Sequence, residues 1–294
     1  MTTIYLSGPM SNHEAQNHPA FDQNTKFLRD LGWTVISPAE MDRELGINLT
    51  GDLDEEQYLN TLRHDYKALA DCDSIAFMPG WETSRGARLE SDFANVLKLD
   101  RYRVDASKSY FEKEMIIALM GYARVGKDAI AQEFVMNNSF ERIGFADSLR
   151  EMLYKFNPSL INNEDGTIVN IKDYVDKYGW EDAKSFYFVR ESLQILGSEA
   201  GRDVLGENIW IETLFKKPTG ARIIIPDCRY INEAQAVRER GGVVIRIKRD
   251  GVYPVNSHAS DQINFDADFE INNNGTVKES YLQILEYLET RFEI

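Results

Sequence analysis

Short apolar runs alternate with amphipathic stretches along the whole chain. Ile4-Tyr5-Leu6, Trp33-Thr-Val-Ile-Ser-Pro38 and Ser74-Ile-Ala-Phe-Met78 have the length and composition of strands, and Ser7-Gly8-Pro9-Met10 turns the chain after the first. Between them the apolar spacing is helical: Phe27, Leu28 and Leu31 before Gly32, then Leu59, Leu62, Tyr66 and Leu69, then a segment from about Ala87 to Leu99. The alternation resumes later. Residues 116–120, 140–145, 221–226, 242–247 and 269–272 read as strands, and Tyr281, Leu282, Leu285 and Leu288 mark a terminal helix. Residues 157–189 are polar and irregular and read as an insertion or lid. Strands alternating with helices predict an α/β chain with parallel sheets, whose carboxyl ends carry the working loops. Residues 105–113 are charged and aperiodic. They divide the chain into a domain over 1–104, a linker, and a domain over 114–294. The linker is not rich in Gly or Ser, so the two halves are expected to pack together.

One stretch carries explicit chemistry. Gly121-x-x-x-x-Gly126-Lys127 follows the apolar run Ile116–Met120 and precedes a helical pattern with Ile130, Ala131, Phe134 and Val135. Strand, glycine loop and helix in that order form a phosphate-binding P-loop. The glycines turn backbone N–H groups around phosphate oxygens, the helix N-terminus adds partial positive charge, and Lys127 supplies a full one. Asp128 stands where Ser or Thr usually holds Mg²⁺. A carboxylate beside phosphates is repelled unless a metal, a base or a water lies between.

Composition narrows the picture. At 294 residues the chain accommodates two domains, and a net charge of −15 argues against direct nucleic-acid binding. The two cysteines, Cys72 and Cys228, make neither a disulfide framework nor a zinc site. No apolar run approaches ~20 residues, which argues against a membrane span, and the N-terminus lacks the pattern of a signal peptide. Cytoplasm is the expected location. His13, His18 and His64 show no metal-ligand spacing and are expected at the surface.

The first hundred residues resemble the nucleoside 2-deoxyribosyltransferase superfamily, including its deoxynucleoside 5′-monophosphate N-glycosidase branch. The resemblance rests on Ile4-Tyr5-Leu6-Ser7-Gly8-Pro9-Met10, the helix around Asp65, Ala70-Asp71-Cys72-Asp73, and Ser84-Arg-Gly-Ala-Arg-Leu-Glu90. It implies a Rossmann-like domain in which Glu90 is the nucleophile at C1′ and Asp65 assists. It also implies that Ser84 contacts a 5′-phosphate, with Ser7, Gly8 and Gly86 in the substrate loops. Tyr5 is placed to orient Glu90. A carboxylate on one sugar face can trap the developing oxocarbenium ion, and a second acid can protonate the leaving base. Read without the resemblance, Glu90 is an ordinary acid in a helix's first turns and Asp65 a solvated helix residue.

Residues 115–294 resemble the phage-type deoxynucleoside monophosphate kinases, within the P-loop nucleoside monophosphate kinase-like fold. The motifs are Gly121 to Asp128, Phe145-Ala-Asp-Ser-Leu149, Arg190 with Gln194 and Leu196-Gly-Ser-Glu-Ala-Gly-Arg202, Asp227-x-Arg229-x-x-Asn232-Glu233, His258-x-Ser-Asp261 and Asn274-Gly-Thr276. Aspartate after the lysine is usual in that group; Ala129, where threonine is common, is a departure. The resemblance implies ATP held by Gly121, Arg124, Gly126, Lys127 and Asp128, with Asn274, Gly275 and Thr276 along the adenine. Mg²⁺ would lie near Asp128 and Asp227, directly or through water. Asp147, Arg150, Arg190, Gln194, Arg202 and His258 are the candidates for the acceptor nucleotide, and Arg229 for the transferring group. Arg202 with Glu199 also reads as a surface salt pair.

Together these imply a bifunctional enzyme of phage character, acting on small-molecule deoxynucleotides in the cytoplasm of a host cell. ATP and Mg²⁺ are its cofactors, and a homo-oligomer is expected because relatives of both halves commonly form one. The alternative is a kinase whose first domain binds nucleotide or mediates assembly without catalysis.

Overall fold

The computed structural model describes residues 2–10, 13–46, 54–161, 166–217, 219–253, 263 and 265–292. Five strands form the first sheet: β1 (Thr3–Ser7), β2 (Thr34–Ile36), β3 (Ser74–Phe77), β4 (Asp100–Asp105) and β5 (Tyr110–Lys113), in the order β2-β1-β3-β4-β5. All neighbours are parallel except β4 and β5, which form an antiparallel edge hairpin. The second sheet contains β6 (Met115–Met120), β7 (Glu141–Arg142), β10 (Arg222–Cys228), β11 (Val243–Lys248) and β12 (Phe269–Asn272). Its order is β12-β11-β6-β10-β7, parallel throughout. Strands β8 (Ser159–Ile161) and β9 (Ile168–Asn170) pair separately.

The period of two along β6 builds the second domain's core on both faces. Met115, Ile117 and Leu119 pack with Ile130 and Phe134 of helix Lys127–Asn138 and with Ile284 and Leu288 of helix Val277–Phe292. Ile116, Ala118 and Met120 face Ile211, Leu214, Ala234 and Val237. A strand covered on both sides reads as a continuous apolar run, which is why β6 was visible in the sequence. In the first sheet, Ile4 and Leu6 pack against Phe21 and Leu28, while Tyr5 faces Leu69, Ala87 and Ala94.

Two stretches differ from the sequence expectation. Residues 157–189 hold an antiparallel strand pair, all of helix Ile171–Ala183 and the start of helix Tyr187–Ile195, around a core of Leu153, Val169, Ile171, Val175, Phe188 and Val189. The first helix breaks at Gly179, whose φ is +71°. Each element is too short for its period to stand out. Residues 105–113, expected as a linker, include β5, where Tyr102 stacks on Phe111 with ring centroids 4.9 Å apart. Charged side chains on this edge hairpin hide its alternation.

Glu114 alone separates β5 from β6, and it is buried. Its carboxylate meets Arg101 Nε at 2.7 Å and Arg103 Nε at 2.6 Å. Arg103 also pairs with Glu82 at 2.6 Å, and Arg101 donates to Asn95 Oδ1 at 2.8 Å and lies over the Phe77 ring. Burial alone would push the Glu114 carboxyl up, but the two guanidiniums outweigh it and hold it below the usual range. A second tie, Arg222 to Glu112 at 2.5 Å, joins β10 to the hairpin. Glu114→Ala leaves two buried arginines short of a partner, and is expected to destabilise the chain by about 3–5 kcal/mol in urea unfolding. A lowered folded pKa gives stability that is present above the unfolded value and lost as pH falls through the folded one. The acid limb of the wild-type melting profile, below about pH 4.5, is therefore expected to flatten in the variant.

Candidate active sites

The first site lies at the carboxyl ends of β1 and β3, where Met78 N–H donates to Ser7 O at 2.8 Å. Tyr5 and Ser7 are neighbours on one face of β1, two residues apart, and both reach Glu90. Tyr5 Oη donates to Glu90 Oε1 at 2.9 Å, and Ser7 Oγ donates to Oε2 at 2.5 Å. Glu90 projects from helix Arg85–Leu97 and is buried. Burial pushes its carboxyl up, and the two hydroxyls pull it back by stabilising the charged form. The Tyr5 hydroxyl stays protonated, its pKa raised by burial and then by the Glu90 charge.

Asp65 faces the same region from helix Glu55–Ala70. Burial first, then the charges of Glu90 and Asp42, push it up to about 8. The two carboxyls therefore stand in different surroundings. Glu90 is gripped by two O–H donors, whereas Asp65 is buried beside like charges and favours its protonated form. Ser84 caps the Glu90 helix, its Oγ accepting from Ala87 N–H at 3.4 Å. Gly86 lies in that helix's first turn. Gly8 is buried against Met78, with 3.0 Å between the Met78 Cβ and the place a Cβ on residue 8 would take. These residues form one end of the site, with Ser84 about 9 Å along the helix from Glu90.

One part was missed in the sequence. His18, expected at the surface, is 3% exposed and lies 3.4 Å from Asp42, which is equally buried. Burial raises the Asp42 carboxyl, and the His18 charge opposes it. His18 opens a helix just before a proline, so no periodic signal marked it as buried.

The second site surrounds the P-loop. Gly121 and Gly126 have φ of +144° and +100°. A Cβ on either would collide, with Ile247 O in the first case and Asn273 Nδ2 in the second. Arg124 lies in the loop with φ +70° and is exposed. Lys127 is buried and donates to the carbonyls of Gly121 and Tyr122, both at 2.8 Å. The loop is pinned by Asn273, which sequence reasoning passed over for its neighbour Asn274. Asn273 is buried, donates to Val125 O at 2.7 Å and accepts from Ser280 Oγ at 2.8 Å. Asn274 accepts from Asp250 N–H at 2.9 Å, and Thr276 caps the last helix with Glu279. Gly275 lies between them, close against Glu279.

Beside the loop, acids and bases interlock. Asp227 takes the amides of Phe145 at 2.9 Å and Ala146 at 3.0 Å, in the turn that follows the two-residue β7. Asp147 accepts from Gly144 N–H at 2.7 Å and from Arg142 Nη1 at 3.0 Å on each oxygen; Arg150 stands 3.5 Å away. Arg142 also reaches Asp128, whose side chain is otherwise open to solvent, at 3.5 Å. Lys184 approaches from the helical insertion. Its pKa is lowered by burial and then by the Arg150 charge, with Glu181 opposing. Arg142 and Lys184 were not foreseen, the first because it sits in a strand and the second because its segment read as irregular.

Arg202 meets an acid other than Glu199. It ends a π-helical turn, Leu196–Arg202, and donates to Glu233 Oε1 at 2.6 Å and Glu207 O at 2.8 Å, with Tyr230 under its guanidinium. Its partner is the buried Glu233, not Glu199. Burial pushes Glu233 up to about 7 against the Arg229 and Tyr230 amides and the Arg202 charge. Arg229 is exposed, while Arg190 and Gln194 are half-buried on helix Tyr187–Ile195. His258 lies outside the described residues. Among the described residues no three His, Cys, Asp or Glu side chains gather as a metal cage. Mg²⁺ in phosphoryl-transfer sites usually keeps several waters and takes one or two carboxylates plus phosphates, a demand that Asp128 and the spare lone pairs of Asp227 can meet. Among the described residues, no helix is long and apolar enough to cross a membrane.

Comparison with known proteins separates the two halves. Residues 2–101 match a family described as a domain of unknown function (DUF4406), and residues 179–284 match the family Deoxynucleotide monophosphate kinase. A protein of Acanthamoeba polyphaga mimivirus, described as a putative deoxynucleotide monophosphate kinase, is 27% identical over 189 residues, which covers 58% of this chain and 94% of that protein. Among solved structures, shikimate kinase from Aquifex aeolicus aligns with a TM-score of 0.33 at 13% identity, over 60% of this chain and 98% of that one. An APS kinase from Mycobacterium tuberculosis aligns at 0.29 and 12%, over 60% and 97%. At these scores the superpositions decide nothing about the reaction. The matches to deoxynucleotide monophosphate kinases lie in the second half of the chain, and the match to DUF4406 lies in the first.

Proposed function

We propose that the chain is a two-site deoxynucleotide enzyme. The second domain transfers the γ-phosphoryl group of ATP to a deoxynucleoside 5′-monophosphate, and the first breaks the N-glycosidic bond of a deoxynucleoside 5′-monophosphate. The observation that carries the kinase reading is the P-loop, pinned by Asn273 and preceding a segment that matches the kinase family. Lys127 would exchange the Gly121 and Tyr122 carbonyls for phosphate oxygens, and the loop amides would take the rest. Arg150, Arg190 and Lys184 would receive the acceptor phosphate, and Gln194 would read a base edge. Asp227 would hold the Phe145–Ala146 turn at the junction of donor and acceptor. Mg²⁺ supplies charge neutralisation between the phosphates when bound, facing Asp128 and Asp227. Arg202 serves as a brace for Glu233 in this account.

In the first domain the clamp of Tyr5 and Ser7 on Glu90 carries the reading. Two hydroxyls fix both oxygens of a buried carboxylate, as attack at a developing oxocarbenium carbon requires. Glu90 attacks C1′, the base leaves with a proton from Asp65, and water or a second base then releases the sugar. Ser84, at the end of the same helix, would meet the 5′-phosphate.

The two activities are expected to separate by mutation. Lys127→Ala should cut diphosphate formation by about 10²–10³-fold and leave base release unchanged. Glu90→Gln should abolish base release, read by chromatography of deoxynucleoside monophosphates without ATP, and leave diphosphate formation unchanged. A wild-type chain that releases no base, even with a second base as acceptor, would make the first domain a non-catalytic module.

The general acid gives a pH signature. Because Asp65 must be protonated, kcat/KM for base release is expected to fall as pH rises through about 8. Asp65→Asn should remove that limb and lower the rate by about 10²–10⁴-fold. A profile flat from pH 6 to 9 in the wild type would contradict the assignment.

A further inference from the structure

A cavity of about 410 Å³ lies between the two domains, and neither Glu90 nor the P-loop lines it. Six cations line it: Arg85, Arg88, Arg101, Arg103, Lys216 and Arg240, against three acids, Asp92, Glu114 and Glu212. In a chain of net charge −15 that local excess is unusual. Two of the acids are already committed, Glu114 to Arg101 and Arg103, and Glu212 to Lys216 at 3.2 Å. Arg88 and Arg240 have no ion-pair partner among the described residues. Arg240 is held over the Phe215 ring at 4.2 Å and donates to Ala236 O at 2.9 Å. Burial and then the Arg101 charge lower its pKa, with Asp92, Glu239 and Glu114 opposing. Trp81 also lines the space, and its buried indole N–H has no hydrogen-bond partner among the described residues. The remaining wall includes Leu89, Ile116, Leu214 and Ile223. Cations alone would suit inorganic phosphate. A volume of this size with apolar walls suits a phosphate carried on an organic group.

We propose that the cavity between the domains binds a nucleoside phosphate, with Arg88 and Arg240 on the phosphate and the apolar wall against the nucleoside. The choice of a nucleoside among phosphorylated metabolites rests on the function proposed above; the anion site itself does not. Its walls belong to elements that run to both active sites. Arg88 is on the helix that carries Glu90, and Ile223 is on β10, which carries Asp227. A ligand here touches both domains at once, beside the Glu114 junction.

The test is equilibrium binding to the full chain carrying Lys127→Ala and Glu90→Gln, which disable the two proposed active sites, with radiolabelled deoxynucleoside triphosphates as probes. Binding of one triphosphate per chain that weakens at least tenfold in both Arg88→Ala and Arg240→Ala is the expected result. Arg88 is exposed, so its variant keeps the test valid if Arg240→Ala unfolds on melting. No such binding, or binding that Arg88→Ala leaves unchanged, overturns the proposal. Pyrophosphate binding with the same arginine dependence, but none by nucleotides, overturns the nucleoside assignment. Because the readout is binding to a disabled chain, failure here is distinct from failure of the kinase or base-release assays on wild type.

Discussion

A buried carboxylate must have its oxygens satisfied or become neutral, and this chain has organised much of its structure around that constraint. Glu114 meets two arginines at the junction of the sheets. Asp227 takes two backbone amides and thereby shapes the turn beside the P-loop. Glu233 takes two amides and Arg202. Among the described residues, Glu90 receives two hydroxyls and no positive charge, and Asp65 receives less still. The structural acids are neutralised by cations or braced by amides. The two candidate catalytic acids in the first domain are held by neutral donors, which leaves the Glu90 charge available for attack and keeps a proton on Asp65.

The same distinction explains what the sequence revealed. The P-loop was legible because its chemistry is local: two glycines whose positive φ excludes a side chain, one lysine, and a strand buried on both faces before them. Tyr5, Ser7, Glu90 and Asp65 were legible only through family resemblance, since 85 and 83 residues separate the two hydroxyls from the carboxylate they grip. Asn273, 148 residues from the carbonyl it holds, gave no local sign at all. Arg202, expected at the substrate, pairs with Glu233, and residue type cannot say which of several acids a long side chain will meet. The insertion over 157–189 was misread as irregular because its core is assembled from a strand pair and two short helices, none long enough to display a period.

The junction gives the two-domain chain its physical logic. A flexible tether would make the halves independent, whereas one buried glutamate between two consecutive strands fixes their relative position. Arg101 and Arg103 reach Glu114 from β4, and their other contacts extend to Glu82, Ser91 and Asn95 around the Glu90 helix. The ionic knot that joins the sheets is therefore continuous with the walls of the first site and with the cationic cavity. On the proposed reading, one site removes deoxynucleoside monophosphates while the other commits them to diphosphates, and rigid attachment places both choices under one set of contacts.

The most direct test of the central claim is a product analysis of the unaltered chain. Each deoxynucleoside monophosphate is incubated with and without Mg-ATP and the products are separated by chromatography. The account predicts diphosphate only when ATP is present, and free base when ATP is absent. Failure to form diphosphate from any of the monophosphates would contradict it.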